Sequence, residues 1–325
     1  MTRAALRAVK PAIGQAMAVA SWAMAAALPV EARSLEEALA SVVTVLPEWP
    51  ADARRSEEPE ASGVVWRGGR HVATAYHAVG KALSVRIRTS AGEVHEARLA
   101  GFDAATDLAV LAIDAALPPA EPSLRRLRLG ERVCAIGNAF GLGASVTCGV
   151  VSGIARSGVG FNPIEDFVQT DAAVNPGASG GALVDGEGAL VGVLSAIFTK
   201  TSDANIGVNF AISAALADRV VSDLVAHGRV RRPDVGLRLR PGTPPASGGR
   251  QAAVVAAIAP GSPAERAGVR LGDAIVAAGG RRVHAPADLL AAVALAPVPS
   301  RLVLEIEREG ALMALSLDIA EPQGR

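Results

Sequence analysis

From residue 63 to about residue 209, short apolar runs rich in β-branched residues alternate with Gly, Asn, Asp and Pro. Residues 63–66, 72–76, 83–88, 108–113, 132–136, 145–151, 167–169 and 190–194 are such runs, and each predicts a strand. Many short strands at this spacing predict a β-sandwich or a pair of barrels. Ahead of them, Leu35, Leu39, Val42 and Val43 share one helical face, predicting a helix over residues 34–45 that Pro47 and Pro50 end. Behind them a helix is expected over roughly residues 213–227. The basic, Pro-bearing stretch 228–233 then reads as a domain boundary.

The C-terminal part predicts a smaller α+β unit. Residues 241–249 form a Pro/Gly/Ser loop. Ser262-Pro263-Ala264-Glu265 has the form of a capping box, with Ser at N-cap, Pro at N1 and Glu at N3, and Gly268 is placed to close that short helix. A strand over 274–278, a helix over 286–293 and strands over 302–306 and 312–319 complete the unit.

At 325 residues, two domains are expected, and the half of the chain that is apolar is enough to fill large cores. Formal charge is zero with no basic run, which argues against a nucleic-acid partner. Five scattered histidines and two cysteines outside any C-x-x-C pair give no metal cluster, and no cofactor is expected. The N-terminus stands apart. Arg3, Arg7 and Lys10 precede an uncharged, Ala-rich stretch over residues 11–30, followed by a small-residue cleavage site at Val30-Glu31-Ala32. This pattern predicts a secretory signal peptide over residues 1–32; the competing reading is an uncleaved membrane anchor. Cleavage would leave a formal charge of −2, and either way the bulk of the chain is exported, to the periplasm or beyond. In an oxidising space Cys134 and Cys148, on strands joined by the Gly-rich loop 137–143, could pair; two buried free thiols fit the pattern equally well.

The chemistry concentrates in Asn175-Pro176-Gly177-Ala178-Ser179-Gly180-Gly181. A serine in a glycine-rich turn can expose its Oγ while main-chain N–H groups converge to hold an oxyanion. Serine needs a base, and a base needs an orienting acid. His77, at the end of the strand over 72–76, is the best base. Asp107, at the mouth of the apolar run 108–113, is the best acid. The remaining histidines, His71, His95, His227 and His284, have no such context. The order His, Asp, Ser is that of the chymotrypsin-like double β-barrel.

Five segments carry a more specific resemblance: residues 74–79 (TAYHAV), 106–111 (TDLAVL), 135–143 (AIGNAFGLG), 169–181 (QTDAAVNPGASGG) and 209–212 (NFAI). In this order they resemble the HtrA (DegP/DegS-type) family of serine proteases, over nearly all of the chain after residue 32. The resemblance implies a mostly β protein: a chymotrypsin-like double β-barrel over residues 33–228, then a small α+β PDZ domain over 229–325. It implies His77 as general base, Asp107 as its orienter and Ser179 as nucleophile, with an oxyanion hole from the N–H groups of Gly177 and Ser179. Where the family usually has Asn, this chain has Ala178, and where pancreatic-type relatives place an Asp that accepts a freshly cut N-terminus, Ala178 cannot. Loop ordering, over residues 51–61, 137–143, 156–165 and 197–205, is then expected to set up the oxyanion hole. The S1 base of this fold lies about six residues before the nucleophile, at Ala173, where Lys or Arg specificity would want a carboxylate. Ala173, Val174 and Ile197 predict a small apolar pocket and cleavage after Val, Ala or Ile, residues that are normally buried and so exposed only in unfolded chains.

In the second domain Val235, Gly236 and Leu237 occupy the place of a carboxylate-binding loop, where a peptide C-terminus would be received and the peptide added as a strand beside the helix from Pro286. Arg231 and Arg232 are expected to favour that carboxylate. The resemblance further implies a homotrimer built through residues 35–47. The resulting expectation is an exported, PDZ-regulated endopeptidase acting on unfolded or damaged proteins. Two alternatives stand beside it: a non-catalytic chaperone or scaffold with the same fold, and a sensor protease anchored in the inner membrane, facing the periplasm, with one dedicated substrate.

Overall fold

The computed structural model describes residues 34–51, 60–197, 206–244 and 251–320; the expected signal peptide or anchor over 1–32 and most of loops 51–61 and 197–205 lie outside these. Six strands, β1 (Val42–Glu48), β2 (Ala61–Val65), β3 (His71–Ala75), β4 (Ser84–Arg88), β5 (Val94–Asp103) and β6 (Leu108–Ile113), close a barrel in the order β1-β2-β3-β6-β5-β4. Six more, β7 (Arg132–Gly137), β8 (Ser145–Arg156), β9 (Phe167–Thr170), β10 (Ala182–Asp185), β11 (Leu190–Ile197) and β12 (Asn209–Ser213), close a second barrel in the order β10-β11-β12-β9-β8-β7.

The strands are apolar on both faces for a reason. Ala109 and Leu111 of β6 fill the first barrel with Val45, Val65, Val72 and Ile87. Leu108 and Val110, of opposite parity, join Val64 and Ala73 in a second core shared with Ile136, Ala182, Val193 and Ile212 of the other barrel. One strand face thus closes a barrel and the other glues the barrels together, so runs such as residues 108–113 show no alternation. The helix α2 (Ala214–His227), whose N-cap Ser213 accepts from the Leu216 N–H at 3.2 Å, adds Leu216, Val220 and Leu224 to the shared core.

The predicted N-terminal helix is too long. Only α1 (Leu35–Ala40) is helical, capped reciprocally by Ser34 and Glu37, and Val42 and Val43 begin β1, which includes Pro47. The valines do face a core, but with the parity of a strand: Val42 enters the shared core and Val43 the first barrel. Cys134 and Cys148 stand directly opposite on β7 and β8 and form a disulfide.

After α2 comes a separate sheet of β13 (Leu237–Gly242), β14 (Ala252–Ile258), β15 (Ala274–Ala278), β17 (Ser300–Arg308) and β18 (Ala311–Ile319), in that order, with β16 (Arg281–Arg282) paired to β15. Helices α3 (Pro263–Arg266) and α4 (Pro286–Leu295) pack on it. Ser262 caps α3 as expected and Gly268 closes it onto the Glu265 carbonyl, but Glu265 reaches back to the Gly261 N–H rather than to Ser262.

The segment joining the barrels to this sheet is fastened by its arginines. Asp223 of α2, almost wholly buried, accepts from the Arg231 N–H at 2.8 Å and from its guanidinium at 2.8 and 3.1 Å, and pairs with Arg219 at 2.5 Å. Arg232 pairs with buried Asp103 at the end of β5. Both arginines are therefore committed to the barrel side, which corrects the expectation that they favour a peptide carboxylate. Burial alone would push the Asp223 carboxyl up; the hydrogen bonds from Arg231 and then Arg219 outweigh it and hold the carboxyl below its usual range. A depressed carboxyl stabilises the fold above the unfolded pKa of about 3.9 and loses that contribution as pH falls through the lower folded value. Asp223→Asn is expected to cost about 3–5 kcal/mol near neutral pH. In urea titrations the gap from wild type should narrow as pH falls below about 4.

Candidate active site

His77 and Asp107 are brought together by strand pairing. Ala75 at the end of β3 lies opposite Leu108 at the start of β6, so the residues just beyond them meet. The Tyr76 N–H donates to the Asp107 carbonyl at 2.9 Å, and the His77 N–H to Asp107 Oδ1 at 2.9 Å. His77 Nδ1 lies 2.6 Å from Asp107 Oδ2. An ionised carboxylate only accepts, so Nδ1 carries the proton of a neutral ring and Nε2 is left as the acceptor. The His77 side chain is 51% exposed while Asp107 is 14% exposed: the acid is sheltered and the base faces solvent.

The turn that carries Asp107 is itself braced. Asp107 has φ of +59°, a left-handed conformation that a non-glycine residue adopts at a cost. Asp103 accepts from the Thr106 hydroxyl and from Arg232. Tyr76 and Phe102 stack with ring centroids 4.4 Å apart, closing the turn over β3. Ile164 donates its N–H to the Ala105 carbonyl at 2.9 Å, and the Asn162 side chain reaches the Thr106 carbonyl at 3.4 Å. Those two residues belong to a loop organised on one buried carboxylate: Glu165 accepts the N–H groups of Val159, Gly160, Phe161 and Asn162 at 2.6–3.0 Å. The same loop touches helix α4 of the C-terminal unit, since Ser157 bonds Asp288; nearby, Arg281 of β16 pairs with Asp166. Sequence reasoning treated residues 156–165 only as a loop and missed Glu165, whose polar, Gly-bearing surroundings hide a buried acid.

Ser179 lies between β9 and β10 on the turn over residues 175–181. The Ala178 N–H closes onto the Asn175 carbonyl at 3.0 Å and the Gly181 N–H onto the Ala178 carbonyl at 2.9 Å. Gly177 and Gly180 have φ of +89° and +85°, and there is no space at either: a Cβ on Gly177 would fall 2.4 Å from the Asn138 carbonyl oxygen, and one on Gly180 2.2 Å from that of Ser62 and 2.5 Å from Thr74 Oγ1. The second contact puts the serine turn against the end of β3, which leads into His77. The Phe140 N–H donates to the Pro176 carbonyl at 2.8 Å. In a trans-planar peptide this turns the Gly177 N–H the other way. Phe140 is itself at φ +56° and its ring is exposed. Ala178 is buried in the core of the second barrel and offers no group for an ammonium to bind.

The predicted pocket residues separate. Ala173 is exposed, with its carbonyl accepting from Thr147 Oγ1 at 2.5 Å. Val174 is buried in the core of the second barrel, so it does not wall a pocket; adjacent residues of an extended segment face opposite ways. The Ile197 side chain is outside the described residues. Asn209, fully buried, holds the approach to the turn by donating to the Ala172 carbonyl at 2.8 Å.

In the C-terminal sheet β13 is an edge strand with α4 alongside. Val235 is buried in the sheet's core and Leu237 packs against it. The Gly236 N–H donates to Asp234 Oδ1 at 2.8 Å, so the chain's own carboxylate sits where a peptide carboxylate was expected.

Residues 61–193 match the trypsin-like peptidase domain family and residues 254–308 the PDZ domain family. The chain is 35% identical over 274 residues to the periplasmic serine endoprotease DegP of Escherichia coli (strain K12), covering 80% of this chain and 56% of the relative. It is 37% identical over 258 residues to a probable periplasmic serine endoprotease, DegP-like, of Chlamydia trachomatis, covering 77% of this chain and 52% of the relative. The chain thus spans little more than half the length of these curated relatives. Among solved structures, the HtrA-type protease AlgW with tripeptide superposes with a TM-score of 0.70 at 32% identity, over 90% of this chain and 98% of that one. The serine endoprotease from Yersinia pestis gives 0.59 at 31%, over 89% and 98%.

Adding a methyl at position 177 is a direct test of the turn. Gly177→Ala is expected to slow fluorophosphonate labelling of Ser179 at least about tenfold, because the Cβ displaces the 138–140 segment and the backbone loses its positive φ. Gel-based labelling rates would measure this, with circular dichroism showing an unchanged fold.

Proposed function

Because the chain belongs to the HtrA/DegP-type family of trypsin-like serine proteases with a PDZ domain, we propose that it is an exported serine endopeptidase that cleaves unfolded proteins after small aliphatic residues. The observation that carries the reading is the double hold of Asp107 on His77, through ring and backbone, at the barrel junction where the serine turn abuts β3. In the proposed reaction Ser179 Oγ attacks the substrate carbonyl carbon and passes its proton to His77 Nε2. The imidazolium is stabilised by Asp107, and the oxyanion is held by the Gly177 and Ser179 N–H groups. His77 then protonates the leaving amine, and water, activated by the same ring, releases the acyl group. Neither proton-transfer step needs a metal or an organic cofactor.

Export is supported by the N-terminal basic and apolar pattern and by relatives named as periplasmic. The small, uncharged Ala173 supports the specificity, now without Val174. Recognition of C-terminal peptides is supported by the open edge of β13 beside α4. An incoming carboxylate must displace Asp234 from the Gly236 N–H, so binding is regulated by a competitor within the chain. A homotrimer through residues 35–47 remains part of the proposal, resting on the family.

Two experiments test this reading. Fluorophosphonate labelling and digestion of unfolded casein should both vanish in Ser179→Ala, and Asp107→Asn should lower kcat by about 10⁴; full activity in either variant would sink the assignment. Separately, Asp234→Ala is expected to tighten binding of a peptide with a free, apolar C-terminus several-fold, and to leave its amidated form unaffected. Fluorescence anisotropy would measure both, and equal or weaker binding of the free-acid peptide would contradict the competitor role.

A further inference from the structure

Ser62 uses every polar group it has on the catalytic junction, although it belongs to neither the serine turn nor the histidine strand end. It lies in β2 of the first barrel and is fully buried. Its main-chain N–H donates to the Ser179 carbonyl at 2.9 Å. Its main-chain carbonyl accepts from Thr74 Oγ1 at 2.7 Å, three residues before His77. Its hydroxyl donates to the Gly177 carbonyl at 2.8 Å and accepts the Asn138 N–H at 2.8 Å. One side chain thus ties the serine turn to the loop whose Phe140 N–H orients the Pro176–Gly177 peptide.

That loop is anchored back to the first barrel as well. Asn138 is almost fully buried; its Oδ1 accepts the Gly143 N–H at 2.6 Å, closing the loop on itself, and its Nδ2 donates to Glu60 Oε2 at 2.6 Å. Arg88 of β4 holds the same Glu60 oxygen at 3.0 Å. The path from Arg88 through Glu60 and Asn138 to the loop, and from Ser62 to the turn, spans both barrels.

We propose that Ser62 is a positioning residue for the oxyanion hole, with Glu60 and Asn138 as its supporting strut. The proposal rests on the reading of Gly177 and Ser179 as the oxyanion donors. Ser62 touches no substrate; it fixes the carbonyl of Gly177 and thereby the plane of the Gly177–Ala178 peptide, which lies between the two peptides that carry the donor N–H groups. A hydroxyl is the right group because the position needs one donor and one acceptor at once. An alanine there would remove the hydroxyl that donates to the Gly177 carbonyl and accepts the Asn138 N–H in a dry interior, and so loosen the segment. The effect should fall on the transition state, since the ground-state carbonyl does not depend on precisely aimed donors.

The test uses the full chain, a chromogenic peptide substrate, and two ligands of matched sequence: a peptide boronate, whose tetrahedral adduct places an oxygen in the hole, and the corresponding peptide amide. Ser62→Ala is expected to lower kcat about 10- to 100-fold with KM within about twofold, to weaken the boronate by a similar factor, and to leave the amide unchanged. Unchanged kcat, or amide and boronate affinity falling together, would overturn the proposal. Should Ser62→Ala fail to fold, Glu60→Ala, at a partly exposed side chain, tests the same strut: kcat and boronate affinity should fall about three- to tenfold with amide binding intact. No change in that folded variant would equally overturn it. Wild-type turnover that vanishes in Ser179→Ala checks the underlying protease reading independently, so failure of one is distinguishable from failure of the other.

Discussion

The site depends on the same strands being buried on both faces. β2, β3 and β6 each turn one row of side chains into their own barrel and the other into a core shared with the second barrel. Their ends therefore lie at a junction with no freedom to shift relative to the partner barrel. Polar groups at that junction are dry and must be satisfied within the protein. Ser62, Thr74 and the carbonyls of Gly177 and Ser179 satisfy one another there, and the position of the serine turn against β2 and β3 follows from that closure.

The acid–base pair has a similar logic but a different cost. Asp107 reaches His77 only because its backbone takes a left-handed turn. Strain of that kind persists where the surroundings over-determine it. Here they include the Asp103 carboxylate, which binds both Thr106 and Arg232, and the Tyr76–Phe102 stack. Arg232 belongs to the segment leading to the C-terminal sheet. The support of Asp107 is thus physically continuous with the domain link, and the loop built on Glu165 makes a second connection through Ser157 and Asp288.

Much of this was legible in sequence. The strands over 108–113 and 274–278 and the helix ending at His227 stand where the pattern put them, and the strand expected over 72–76 runs one residue earlier. The misses have physical causes. Val42 and Val43 fit a helical face and a strand equally well over so short a window, and burial on two sides decided for the strand. β5 reads as polar because most of its residues are exposed, so its alternation carried little signal. Val174 looked like a pocket wall by its distance from Ser179, but the parity of the chain turned it inward. Ser62 was invisible because nothing local distinguishes it; its role comes from Asn138 and Gly177, 76 and 115 residues away along the chain. Arg231 and Arg232 were near the right loop in sequence, but two buried carboxylates claimed them first.

Ala178 has a consequence for how the turn is held. Without a side chain able to bind a charged terminus, the serine turn is ordered by neutral hydrogen bonds from outside: Phe140 to Pro176, Ser62 to Gly177 and to Ser179, and Gly180 to the Leu194 carbonyl at 2.7 Å. Each such bond contributes about 0.5–1.5 kcal/mol net. Four of them together give a few kcal/mol, and about 1.4 kcal/mol changes a population tenfold. The ordered turn is therefore secured by an energy of the size that contacts to a single loop can add or remove. The loop best placed to do so is residues 138–143, whose polar groups are tied inward to Ser62 and Glu60 while the rings and branches of Phe140 and Leu142 face outward. A turn locked by one strong ion pair would be insensitive to such contacts; a turn held by several weak bonds from neighbouring loops registers what those neighbours bind.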